Sequence, residues 1–582
     1  MITDKDIRDY FNEETVAAKA SHSALMALPQ GERIRKRKCI AGIKIDTAYR
    51  KISDDHELLL RLTFEKNLSD FKEGEYLMLH KEGSHGFQCT LVGFPDDNSA
   101  IISAYPGNIP SDVNVLSQSE LVLDKAVFDL RPMVYSHFYN RLSSDVDYWN
   151  NHIVNCPRSP TFVNVETCRE ELDDTVKNFG LSLTSNQKKA IICSMSAKDY
   201  YLIQGPPGTG KSFVLSIIIL EEILYFKHKV AIIGPNHMAI NNTLEKVIDV
   251  LPEAYVCTFK VGQFYNAPLK RYEINGKAKP IFNVSRVNVS SLNSLDEPFI
   301  CGLTPHSLYT SRAQGLEFDT LIIDEAGQET IPLALMAIML ANKVILAGDH
   351  KQLPPIITSD NISIELRNSI FQRLMNSENH TMLDTTFRMR EPICDFVSYL
   401  FYDGKLIAHN LGCGSEIISD NPLISFDSPI IICDVKDEGL QISEKESAKI
   451  ENICFELISA GLNECEIGVI SPFRAQVASI RRHIRKSERI PEDAGKSITV
   501  DTIDRMQGQE REVIIISMAA GNLNYMREMG DFLYNQNKLN VAISRAKSKV
   551  IIVGNVEMLR IIGKTDYPLI DKIISYEQVT II

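Results

Sequence analysis

The sequence predicts an α/β protein with two successive parallel sheets, preceded by a helical stalk and a small β-barrel. Three observations carry this. From about residue 178 onward, apolar runs of strand length alternate with helical stretches, the order that parallel sheets require. Runs such as Val513-Ile514-Ile515-Ile516 are apolar without a break, which suits strands buried on both faces. Residues 38–125 have another texture, short β-like runs cut by Gly, Asp and Asn turns.

The elements follow in order. Residues 4–28 show helical spacing of apolar positions, and with residues 29–37 they form the first part of the stalk, 1–37. The runs Cys39 to Ile45, Leu58 to Phe64, Tyr76 to Leu79, Phe87 to Val92 and Ala100 to Ser103 predict the barrel over 38–125. Residues 126–177 return to helix as the second part of the stalk, with an aromatic cluster at Tyr135, Phe138, Tyr139, Tyr148 and Trp149 that reads as packing. Strands expected at 201–204, 230–234, 299–303, 319–323 and 343–347 make a first sheet domain over 178–360. Strands expected at 380–384, 429–433, 466–470, 512–517 and 549–553 make a second over 361–582.

The chain has 582 residues, 44% apolar and 24% charged, in the range of soluble globular proteins. No stretch approaches about 18 uninterrupted apolar residues, so no membrane span is expected. Met1-Ile2-Thr3-Asp4-Lys5-Asp6 lacks a basic-then-apolar signal. The 12 cysteines are scattered, with no C-x-x-C pair, which argues for a reducing compartment and a cytoplasmic location. A net charge of −13 disfavours a nucleic-acid binder only weakly, since binding needs a local basic groove. Two basic runs exist, Arg33 to Lys38 and the set Arg481, Arg482, Arg485, Lys486 and Arg489. The plainer reading of each is a solvated face.

Residues 205–212 read Gly205-Pro206-Pro207-Gly208-Thr209-Gly210-Lys211-Ser212, between an apolar run and a helical stretch. Such a loop turns backbone N–H groups toward the phosphates of a nucleoside triphosphate. Lys211 would reach the β/γ oxygens and Ser212 would ligate Mg²⁺. By itself the loop leaves a kinase, a GTPase, a transporter ATPase or a motor equally open.

Leu321-Ile322-Ile323-Asp324-Glu325 is an apolar strand ending in two carboxylates. At that end Asp324 can hold Mg²⁺, and Glu325 can accept a proton from the attacking water. Gly348-Asp349-His350-Lys351-Gln352-Leu353-Pro354-Pro355 again follows a strand, and the uncharged Gln352 can sense a γ-phosphate. This octet does not belong to kinases or GTPases.

With these motifs the chain resembles a superfamily 1 helicase, in the 5′→3′ branch of the nonsense-mediated-decay and senataxin (Upf-like) helicases. The resemblance rests on Leu183 to Gln187, the P-loop, Asp324 to Gln328, Gly348 to Pro354, Phe387-Arg388-Met389, Ile467 to Gln476, Val500 to Glu510 and Leu539 to Lys547, and covers about residues 180–560. It implies that both sheet domains are RecA-like and that ATP and Mg²⁺ are the cofactors. It implies that Gln187 reads adenine, that Phe387 stacks on the base where a Tyr is usual, that Arg388 and Arg545 reach the γ-phosphate, and that Glu510 lies near the ribose. Paired arginines suit the charge dispersed over a transferring phosphoryl group. Supplied by the second sheet, they make hydrolysis depend on cleft closure. Phe387 in place of Tyr and Met506 in place of Phe depart from the family pattern.

Positions where relatives meet the nucleic-acid backbone are Pro235, Asn236, His237, Thr304, Pro472, Arg474 and Thr502; each also fits a turn or cap. Contacts of that kind are sequence-tolerant and salt-sensitive. The function expected is an ATP-driven translocase on single-stranded DNA or RNA that unwinds duplexes. The alternatives are an ATP-gated clamp or protein-displacing remodeller and, further off, a non-motor P-loop enzyme such as a small-molecule kinase. A monomeric motor with a protein partner such as a nuclease completes the expectation.

Overall fold

The computed structural model describes residues 1–52, 58–109, 120–134, 154–250, 258–260, 272–274, 277–279, 282–283, 298–309, 316–409 and 417–582, apart from positions 68, 70, 72–74, 85, 97, 105, 106, 108, 128, 130, 133, 156, 158 and 236. Helix α1 (Asp4–Met26) starts on a capping box, in which the Thr3 hydroxyl accepts from Asp6 N–H and the Asp6 carboxylate accepts from Thr3 N–H. Its first turns bury Ile7, Tyr10 and Phe11 in the core of the first sheet domain. Its far end reaches the barrel side, where Lys19 pairs with Asp129 at 2.8 Å. The aromatic cluster from Tyr135 to Trp149 lies outside the described residues; downstream of it the described helix is Val165–Phe179.

Six antiparallel strands close a barrel: β1 (Cys39–Ile52), β2 (Leu58–Thr63), β3 (Tyr76–His80), β4 (Phe87–Asp96), β5 (Ser99–Ala104) and β6 (Leu121–Lys125), in the order β1-β2-β5-β4-β3-β6. Closure removes the free edges. Alternate side chains, among them Leu60, Leu62, Leu77, Leu79, Leu91, Ile102 and Leu123, fill the interior. The register of β1 against β6 shifts between Ile40 and Ile43, where Gly42 takes φ +67° as a bulge requires. The run Arg33 to Lys38 is not uniformly a solvated face. Arg33, on helix α2 (Gln30–Arg35), is 2% exposed and donates to Asp124 at 3.1 Å and Glu82 at 2.6 Å. Asp124, fully buried, also pairs with His80 at 2.9 Å. One internal carboxylate thus seats the helix on the barrel, whereas Arg35, Lys36 and Arg37 are exposed.

The first sheet contains β7 (Tyr200–Gln204), β8 (Val230–Ile233), β9 (Thr258–Lys260), β12 (Phe282–Asn283), β13 (Ile300–Leu303), β14 (Phe318–Ile323), β15 (Ala341–Gly348) and β16 (His380–Met382). All are parallel, in the order β12-β9-β13-β8-β14-β15-β7-β16; β10 (Tyr272–Ile274) and β11 (Lys277–Lys279) form a separate hairpin pair. Helices on both faces leave its central strands wholly buried, from Leu202 and Ile203 to Leu321 and Ile322. Each such side chain contributes roughly 1.5–3 kcal/mol by leaving water.

Past the short pair β17 (Thr385–Thr386) and β18 (Ile407–Ala408), the second sheet holds β19 (Ile430–Asp434), β20 (Ile467–Ser471), β21 (Thr499–Thr502), β22 (Arg511–Ser517), β23 (Ala546–Gly554) and β24 (Val579–Ile581). They run parallel in the order β21-β20-β22-β23-β19-β24.

The structure corrects one assignment. The strand expected at 380–384 belongs to the first sheet and not the second: β16 pairs with β7, His380 opposite Leu202 and Met382 opposite Gln204. Without it the outer edge of β7 would expose its backbone groups. Asn379 O accepts from Leu202 N–H, and the Tyr201 hydroxyl meets Thr381 Oγ1 at 2.7 Å, fixing the register. The chain therefore leaves the first sheet after Leu383.

Candidate active site

The P-loop follows β7 and runs into the helix Lys211–Leu224. Lys211 Nζ pairs with the Glu325 carboxylate and lies 3.1 Å from Asp324 Oδ1. Burial would lower the Lys211 pKa; the two carboxylates more than reverse this and hold it above the ordinary lysine value. Asp324 is 2% exposed, and its other oxygen accepts from the Thr243 hydroxyl at 2.6 Å. Thr243, on the helix His237–Val250, has no signature in the sequence that ties it to the site. Glu325 takes φ +57°, a left-handed conformation costly for a residue with a Cβ, and accepts from Gln328 Nε2 at 2.9 Å. Ser212 follows Lys211, which lies beside Asp324; a hydroxyl and a carboxylate are both oxygen donors, the kind that suits a hard cation such as Mg²⁺. Among the described residues no group of three or more His, Cys, Asp and Glu could hold a metal by itself.

Gln187 is buried beside the loop. It closes the capping box of the helix Ser185–Ser196 with Thr184, and its Nε2 donates to Thr209 O at 3.1 Å. Thr209 in turn donates its hydroxyl to Pro206 O, and Gly205 N–H donates to Gly348 O, which ties the P-loop to the end of β15.

Residues beyond the first sheet close over the loop. Phe387 N–H donates to Gly208 O at 2.8 Å, and the Thr386 hydroxyl to Pro207 O at 2.8 Å. A Cβ on Gly208, which has φ +73°, would stand 2.4 Å from Arg388 Cβ, so only glycine permits this approach. Arg388 donates to Glu510 at 2.6 Å and to Ser544 O at 3.1 Å. Burial raises the Glu510 pKa, but Arg388 and Lys547 outweigh it and hold the carboxyl below its usual range. Arg545 is 2% exposed, and its Nη2 donates to Gln352 Oε1 at 3.4 Å. Burial first and Arg388 second bring its pKa down to about 9, so it stays charged at neutrality. The Phe387 ring, 40% exposed, stacks on His409 at 4.7 Å.

The candidate strand-binding residues form two pairs of neighbours. Pro235 and Thr304 follow the adjacent strands β8 and β13, and Pro472 and Thr502 bound the ends of adjacent β20 and β21. In each sheet they stand toward one side of the strand order, while the P-loop, Asp324, Gln352 and Arg545 stand toward the other. Arg474 opens the helix Arg474–Lys486 and is exposed. Thr304 and Thr502 are 7% exposed, and the Thr304 hydroxyl caps the following turn by accepting from Ser307 N–H. Asn236 lies outside the described residues; His237 opens its helix.

Two family profiles, each described as an AAA domain, match the chain in tandem, one over residues 182–273 and 298–360 and the other over 366–557. The DNA polymerase alpha-associated DNA helicase A of Schizosaccharomyces pombe is 29% identical over 450 residues, which is 66% of this chain and 65% of that protein. An uncharacterized ATP-dependent helicase of Methanocaldococcus jannaschii is 26% identical over 67% of this chain and 70% of its own length. Regulator of nonsense transcripts 1 of Dictyostelium discoideum is 28% identical over 62% of this chain but only 30% of its own. The chain thus spans about two thirds of the length of the first of these relatives and under a third of the last. With P-loop, paired carboxylates and second-sheet arginines gathered in one cleft, and with both AAA profiles matched in order, the chain belongs to the Upf-like family of superfamily 1 helicases, a family of ATP-hydrolysing enzymes.

Proposed function

We propose that this chain is an ATP-driven nucleic-acid helicase that moves 5′→3′ along a single strand and couples ATP hydrolysis between its two RecA-like domains to duplex unwinding. The observation that carries the reading is that residues of both halves meet around the P-loop and the end of β15: Arg388 packs on Gly208 and Arg545 donates to Gln352. Lys211 holds the β/γ-phosphates, Glu325 takes the proton of the attacking water, Gln352 senses the γ-phosphate, and Arg388 and Arg545 stabilise the charge that disperses over it. Gly205 to Ser212 cradle the triphosphate, Gln187 and Phe387 face the base, and Glu510 stands near the ribose. Mg²⁺, held by Ser212 and Asp324 with phosphate oxygens and water, would neutralise the β- and γ-oxygens.

The strand runs along the far side of both sheets, past Pro235, Asn236, His237 and Thr304 in one and Pro472, Arg474 and Thr502 in the other. Hydrolysis and strand contact then share the same two rigid bodies, so cleft motion moves the strand. The barrel, on a stalk made of residues 1–37 and 126–177, guides the strand. The motor acts as a monomer in the cytoplasm, and a protein partner such as a nuclease supplies its biological specificity.

The test is ATP turnover with single-stranded DNA, with single-stranded RNA and with no polynucleotide, beside unwinding of duplexes tailed at either end. Strand-stimulated turnover and unwinding of the 5′-tailed duplex alone are expected. Unwinding from the 3′ tail overturns the direction. Stimulated turnover without strand separation favours a clamp or remodeller.

A further inference from the structure

Asp349 is 3% exposed and accepts four hydrogen bonds at the seam between the two domains. Its Oδ1 accepts from Gln204 Nε2 at 3.2 Å and from Lys351 N–H at 3.1 Å. Its Oδ2 accepts from Gln352 Nε2 at 2.9 Å and from the Tyr402 hydroxyl at 2.5 Å. Gln204, Lys351 and Gln352 belong to the first sheet domain. Tyr402 ends the helix Glu391–Phe401, whose core is that of the second. The Tyr402 oxygen also accepts from Asn540 Nδ2 at 2.9 Å, and the same amide donates to Lys351 O at 2.7 Å. Asn537, on the same helix Gln536–Ile543, donates to His350 O at 2.9 Å and to Gln352 O. That helix leads directly to Arg545, whose guanidinium reaches the Gln352 side chain.

These bonds form one chain: Asn540 to Tyr402, Tyr402 to Asp349, Gln352 to Asp349, and Arg545 to Gln352. Its middle link is a short, charge-assisted bond between halves of the molecule. Resting on the ATP-driven reading above, we propose that Tyr402 is a positioning residue for hydrolysis. Its hydroxyl ties Asp349 of the first domain to Asn540 of the second, and so sets Gln352 and Arg545 in place only when the halves are together. Tyr402 acts through Asp349, which in turn holds the Gln352 side chain. A latch of this kind works on turnover and leaves ATP affinity to the P-loop.

The experiment compares Tyr402→Phe, Asn540→Ala and the double variant in the full chain, by ATP turnover against ATP concentration with and without single strands, and by thermal unfolding. Expected for Tyr402→Phe is a strand-stimulated kcat lower by about tenfold with KM for ATP within about twofold. The melting temperature should stay within a few degrees. The double variant should be no slower than the slower single, because both residues serve one chain of bonds. Full kcat in Tyr402→Phe overturns the proposal, as do effects of the two changes that multiply, or a fall in melting temperature with kcat intact. Absence of strand stimulation in the unmodified chain counts against the motor and not against the latch, which is then read on basal turnover by the same comparison.

Discussion

Arg388, which packs on Gly208 of the P-loop, pairs with Glu510, guanidinium Nε to carboxylate oxygen at 2.6 Å. Glu510 also holds Lys547 at 3.5 Å. In this arrangement one acidic side chain aims the arginine expected at the γ-phosphate. Glu510→Ala is therefore expected to lower kcat by releasing Arg388, with the base and P-loop contacts left in place. Steady-state turnover measures it; a change in KM alone would separate Glu510 from the aiming of Arg388.

Removing Arg388 or Arg545 by substitution with Ala is expected to lower kcat strongly, on the order of 10³-fold, with modest change in nucleotide affinity. Single-turnover hydrolysis beside equilibrium nucleotide binding reads both. Near-normal turnover in Arg545→Ala would place that residue outside the reaction.

Lys211→Ala should abolish turnover by removing the phosphate contact. Glu325→Gln should bind ATP yet fail to hydrolyse it, since an amide cannot take the proton of water. It also removes one of the two anions that face Lys211. Normal hydrolysis by Glu325→Gln would show that another group is the base.

Binding to single strands should weaken as salt rises despite the net charge of −13. Arg474→Ala should reduce the slope of log K against log salt by about one if that exposed arginine meets one phosphate. An unchanged slope and affinity would leave Arg474 an ordinary surface residue.

Glu329 is 3% exposed, and its Oε2 has no hydrogen-bond partner among the described residues. Burial pushes its pKa up to about 8 from 4.5. Between those values the unfolded chain has released a proton that the native state keeps, so this group makes stability fall as pH rises. In Glu329→Gln that slope is gone. The melting temperature of the variant relative to the parent should therefore improve from about pH 5 to about pH 8. The same difference at both ends of that range would mean that Glu329 is ionised in the native state.

The residues that meet around the P-loop were legible as a candidate site because they follow one another in short runs at strand ends. Unbroken apolar strands such as Val513 to Ile516 were legible for the same local reason. What escaped is what depends on distant partners. The β21 run Thr499-Val500-Asp501-Thr502 has a single apolar residue, and burial alternates along this edge strand, so it has no apolar signature. His380–Met382 is three residues long, and only Leu202 to Gln204, far back in the chain, reveals which sheet it joins. Leu121–Lys125 gains its meaning from closing the barrel against Cys39. Thr243 lies on a helix and Tyr402 at the end of one, and nothing near either in sequence marks Asp324 and Asp349, the carboxylates they meet.

The crossing from one sheet to the other at β16 has a mechanical consequence. The chain leaves the first sheet after Leu383 and presents Arg388 almost at once, with Thr386 and Phe387 bonded to the P-loop backbone on the way. Those bonds pin the crossing to the loop, so Arg388 is held beside Gly208 by its own stretch of chain. Arg545 follows Ser544, whose carbonyl accepts from Arg388, and meets the first domain through the Gln352 side chain. Of the two neighbouring arginines, Arg388 is tethered by backbone and Arg545 is docked by a side chain.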